Sequence, residues 1–152
     1  MHSIPRYLAL AASAFAVAIL VACGGDSSTG PKSVNLSGNW GLTASISNSG
    51  LAITCSATGN LAITQSGSNF SGNISGSSEL CTGPGGSVSD TIDGQIGGGQ
   101  INGSSVSWTD GMCNYTGTMS GNPVNRVSGN ISCSIPISGT NYPFTGSWTV
   151  VR

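Results

Sequence analysis

Apolar residues alternate with polar ones at a period of two along nearly all of residues 36–152, and no stretch holds a helical apolar repeat. The chain has 24 glycines, and they interrupt every window long enough for a helix. Each would cost a helix interior about 1 kcal/mol relative to alanine. Period-two segments separated by turn residues predict an all-β sandwich or barrel. Eight strands are expected: 39–47, 54–66 with a bend near Gly59-Asn60, 69–77, 87–96, 100–109, 112–120, 126–135 and 143–152. Inward candidates are Trp40, Leu42, Ala44 and Ile46 on the first strand, and Phe144, Trp148 and Val150 on the last. Gly97-Gly98-Gly99 reads as the turn between the fourth and fifth strands. The repeated Leu-Ala-Ile-Thr at 51–54 and 61–64 leaves room for an extra short hairpin. Glycines inside strands permit sharp coiling, which suits a sheet closed on itself. An eight-stranded antiparallel up-and-down β-barrel is therefore expected, with a two-sheet β-sandwich as the alternative.

The first 22 residues stand apart. Met1 to Tyr7 carries one cation, Arg6, and 8–22 is an apolar run broken only by Ser13. The run is shorter than the ~20 apolar residues of a membrane-spanning helix, and it has the form of a cleaved export signal. At its end, Leu20-Val21-Ala22-Cys23 resembles the lipobox of bacterial lipoproteins. The resemblance implies cleavage before Cys23, which then carries the lipid. Gly24 rather than Asp follows it, so the family's inner-membrane retention signal is missing. Anchorage in the cell envelope, at the outer membrane, is the expected address. Residues 23–35 are a lipidated N-terminus and a Gly/Ser/Thr-rich flexible tether, and residues 36–152 the β-domain.

Cys23 also resolves the cysteine count. Five cysteines are odd for an exported chain; with Cys23 lipidated, Cys55, Cys81, Cys113 and Cys133 make two disulfides. Folding the sixth and seventh strands about Pro123 opposes Cys113 to Cys133, Tyr115 to Ile131, Gly117 to Gly129 and Met119 to Val127. A slip of one residue would set each against a polar partner. Cys55–Cys81 follows by elimination. Its neighbours favour Leu61 opposite Ile74, one residue out of register with the cysteines, so a bulge near Gly59 or Gly76 is required.

Gly38-Asn39-Trp40 on the first strand, with Arg152 at the end of the last, resembles the signature of the calycins, the lipocalin and avidin group. The resemblance implies a closed barrel with the Arg152 guanidinium over the Trp40 ring. Where avidins hold biotin with a polar residue two positions after that tryptophan, this chain has Leu42, so an interior ligand would be hydrophobic and unspecific.

Chemistry is thinly supplied. The chain's one histidine, His2, leaves with the signal, and the domain holds only Arg126 and Arg152 against Glu79, Asp90, Asp93 and Asp110. No nucleic acid can be held by so few cations, and no general base, catalytic residue, metal site or cofactor is expected. Asp90 shares the parity of Val88 and Ile92 and is expected to point inward or lie at the barrel mouth, with Arg152 as one possible partner. Asp90-Thr-Ile-Asp93-Gly94 lacks the ligand alternation of a calcium loop. The expected function is a non-catalytic binding or surface-interaction module contacting envelope protein or glycan, with a carrier of a small hydrophobic ligand as the alternative.

Overall fold

The computed structural model describes residues 34–152; Cys23, its lipobox and most of the tether lie outside them. Eight antiparallel strands follow one another around a closed barrel: β1 (Gly38–Asn48), β2 (Ile53–Ser66), β3 (Asn69–Gly83), β4 (Gly86–Asn102), β5 (Ser105–Thr109), β6 (Cys113–Ser120), β7 (Arg126–Ile137) and β8 (Thr140–Val151). Closure is made by β8 on β1, from Gly41 opposite Val151 to Ser47 opposite Thr145. The barrel, not the sandwich, is the fold.

Alternation places Trp40, Leu42 and Ile46 inward on β1, and Phe144, Trp148 and Val150 inward on β8, all buried. Between β6 and β7 the register is the one the Pro123 loop dictates, Cys113 opposite Cys133 through Met119 opposite Val127. Both disulfides, Cys55–Cys81 and Cys113–Cys133, are formed. The conflict between β2 and β3 is settled by a bulge. Leu61 faces Ile74 below it and Cys55 faces Cys81 above it, with the shift between Thr58 and Asn60. Gly76 takes φ +59° there, a backbone conformation that glycine adopts without a Cβ penalty.

Two expectations need correction, and a third is decided between its alternatives. Gly97-Gly98-Gly99 is not a turn: it is an irregularity inside β4, where the register to β5 shifts between Gly97 and Gln100. The true reversal is Gly103-Ser104, so β4 is longer and β5 shorter than expected. The first Leu-Ala-Ile-Thr copy makes no extra hairpin, because Leu51 and Ala52 lie in the β1–β2 turn. Of the two places expected for Asp90 the barrel mouth is the one it takes: it is exposed, lines the open end and makes no contact with Arg152 among the described residues, and the reach of β4 beyond β5 leaves this stretch paired with β3 alone.

The two ends of the barrel differ. At one end Leu36, Leu61, Phe70, Val106, Trp108 and Trp148 close on one another and leave a gap of only about 10 Å³, far below the size of a small-molecule site. Below them the Trp40 indole N–H donates to the Leu36 carbonyl at 2.8 Å. The Arg152 guanidinium lies 4.3 Å from the Trp40 ring centroid. It donates to the carbonyls of Ser37 (3.1 Å), Asn35 (2.6 Å) and Val124 (2.9 Å). Arg152 thus ties the entering chain, the β6–β7 loop and the first strand into one lid. Arg152→Ala is expected to cost about 1–2 kcal/mol, from an exposed cation–π contact and several solvent-accessible hydrogen bonds. Arg152→Lys restores less than half, because a single ammonium cannot stack and fork together. Urea-unfolding midpoints at constant slope measure both.

Candidate functional site

The opposite end is open. Where β4 runs on from Ile96 back to Gly86 it has β3 on one side and no strand on the other among the described residues. The wall is thus slotted between this stretch and the Asp110–Met112 turn. Behind the slot lies a cup of about 320 Å³. This is at the lower end of the size range of small-molecule sites, ~300–1,000 Å³. Its depth is apolar, with Leu42, Ile46, Ile74, Ile131 and the buried sulfurs of Cys55 and Cys113, and its rim carries Glu79, Asp90 and Asp110.

Each rim carboxylate is placed by the sheet. Glu79 and Asp90 are cross-strand partners on β3 and β4, an arrangement in which like charges repel. Burial first, and then Asp90, pushes the Glu79 carboxyl above the ordinary glutamate range. Among the described residues Asp90 accepts only the neighbouring Thr91 N–H, at 2.7 Å. Asp110 is fully engaged. One oxygen accepts the backbone N–H of Met112 (3.0 Å) and Cys113 (2.7 Å), and the other accepts the Tyr115 hydroxyl at 2.8 Å. Tyr115 is pushed up, by burial first and then by Asp110, so its hydroxyl remains a proton donor. Its ring is stacked on Trp108 with centroids 3.5 Å apart.

Ser77 lies deeper. The bulge turns it inward over Gly59, where any Cβ on residue 59 would collide with it. It is 3% exposed, and its hydroxyl oxygen has no hydrogen-bond partner among the described residues. A buried hydroxyl left unpaired is costly and calls for an explanation.

Of the residues singled out from the sequence, Cys55 and Cys113 line the cup and Trp40 and Arg152 close the far end. Asp90 stands at the mouth and Asp93 outside it. Ser77, Glu79 and Asp110 were not expected at a site. Glu79 shares the parity of Cys81, a usable signal; Ser77 is one of many serines, and only the bulge marks it. Ligand atoms of Cys55, Glu79 and Cys81 lie within 4.8 Å of one another, but the sulfurs are bonded to each other and offer no thiolate to a metal.

Two depressions of about 450 and 420 Å³ lie on the outer wall. They share Thr116 and Asn130 and run over Gly117, Gly129 and Gly146, between outward serines, threonines and asparagines. No family model matches the sequence, and no curated protein or solved structure matches it either. The geometry has to carry the functional reading.

Proposed function

We propose that this chain is a lipid-anchored cell-envelope protein, held through lipid on Cys23, that takes a small hydrophobic ligand into the cup without catalysis. The observation that carries the reading is an interior packed tight at one end and open at the other, with a ligand-sized apolar volume. A barrel with no task for its interior has no reason to leave that space unfilled, since voids cost stability. The calycin comparison supports the same use, because the closed eight-strand meander and the Arg152–Trp40 stack are both present. The chain enters the domain at the closed end, where Arg152 holds Asn35.

Linear alcohols from butanol to octanol test this. Each added methylene is expected to strengthen binding about fourfold, the equivalent of ~0.8 kcal/mol per buried CH₂, as read by titration calorimetry. Ala57→Phe, which fills the cup from β2, abolishes the trend while the far-UV circular dichroism is kept. Affinity that does not depend on chain length, or a trend that survives Ala57→Phe, rejects the cup as the site. Native mass spectrometry of protein purified from its own envelope adds a direct readout of a retained small molecule.

The outer depressions favour a second reading, contact with a glycan or other envelope polymer along the Ser/Thr/Asn wall. It is distinguished by binding that Ala57→Phe leaves untouched and Thr116→Trp removes.

A further inference from the structure

The charge around the cup is one-sided. Glu79, Asp90 and Asp110 line it. Both cations of the described residues, Arg126 and Arg152, are at the other end, where Arg126 faces Val151 and Arg152 covers Trp40. Of the three carboxylates only Asp110 is fully engaged by its neighbours. Glu79 and Asp90 face each other across β3 and β4, and among the described residues nothing positive lies between them. Two residues from Glu79, the Ser77 oxygen is buried, unpaired and set in the same wall. Three observations thus converge on one ligand chemistry: a positive charge with N–H bonds to give, above an apolar body.

From this geometry we infer that the ligand is an amphipathic amine, an apolar skeleton ending in a protonated primary or secondary ammonium. Its ammonium sits between Glu79 and Asp90 and donates to the Ser77 oxygen, and its carbon skeleton occupies the space walled by Leu42, Ile74 and Ile131. The inference rests on the carrier reading and adds the head group to it. A carboxylate ligand is disfavoured at the same place by the rim. An alcohol can satisfy Ser77 but leaves the two carboxylates facing each other. The raised position of Glu79 has the same origin, burial beside Asp90 without a counter-charge, and a bound ammonium would bring it back toward the ordinary range.

Three probes with the same tail separate the inference from the reading beneath it: octylammonium, octanol and octanoate, titrated at pH 7 into the purified full-length protein by calorimetry. Octylammonium is expected to bind about tenfold or more tightly than octanol, and octanoate to bind weakest. Glu79→Gln combined with Asp90→Asn brings the amine within about threefold of the alcohol. Ser77→Ala weakens the amine several-fold and leaves unfolding cooperative, since it removes an unpaired oxygen rather than a contact. If octanol matches octylammonium, or the preference survives the double substitution, the amine assignment fails and the carrier reading stands. Octanoate binding as well as the amine overturns the assignment in the same way. If none of the three binds, the carrier reading fails, and the amine with it.

Discussion

Trp148→Ala is expected to lower the unfolding free energy by about 3–5 kcal/mol, much of what a domain of this size has. Trp148 is 3% exposed and stands opposite Gly129 on β7, which in turn faces Gly117 on β6. The two glycines make the space for it: a Cβ on Gly117 would come within 2.8 Å of the indole. Through that gap the indole N–H reaches two backbone carbonyls, Asn130 at 3.0 Å and Thr116 at 3.2 Å. Its ring also meets the Trp108–Tyr115 stack edge-on, at 5.7 and 5.8 Å. Alanine leaves a cavity that stiff, paired strands cannot close. Trp148→Phe is the informative companion. It refills most of the volume and loses the N–H, so a cost of about 1–2 kcal/mol is expected. Equilibrium denaturation measures both, and a loss below about 1 kcal/mol for Trp148→Ala would mean that the packed end of the barrel is not where its stability resides.

The part of this fold readable from sequence is the part fixed by pairing. Alternation assigned the inward faces of β1, β6, β7 and β8, and two cysteine pairs then had to agree with those faces. Agreement was immediate at Cys113–Cys133. At Cys55–Cys81 it held only with a bulge, and the bulge is present. Strand length was harder to read. Three successive glycines carry the composition of a turn, but here the chain continues through them and reverses at Gly103-Ser104, because pairing of Asn69 with Gln100 keeps β3 and β4 together. That one difference hides the site. A short β5 beside a long β4 opens the wall, brings Asp90 to the rim and leaves Val88 70% exposed despite its inward parity. Ser77 escaped for a related reason: it faces inward only because the bulge inserts a residue, which breaks the parity from which burial was read.

Removing both disulfides is expected to abolish cooperative folding at 37 °C. The crosslinks join residues 26 and 20 apart in sequence, and closing loops of that length in the unfolded chain is worth about 3 kcal/mol each. The sum approaches the whole stability of a small domain, ~5–15 kcal/mol. The quadruple alanine variant should therefore show no two-state transition in urea, while each single-pair variant should retain one. The two single-pair variants should also differ from each other. Cys113–Cys133 lies in a register that every neighbouring pair already prefers, so its loss costs stability and leaves β6 on β7 in place. Cys55–Cys81 holds the half of the β2–β3 ladder that lies beyond the bulge, against the register favoured by Leu61 and Ile74. Without it, that half has nothing apolar of comparable size to keep the extra residue in. Amide exchange should accelerate from Ser78 to Thr82 in Cys55→Ala/Cys81→Ala and stay slow there in Cys113→Ala/Cys133→Ala. Equal protection of that segment in both variants would show that Ser77 is turned inward by the packing around Gly59 alone, and that the cup keeps its shape without the bond beside it.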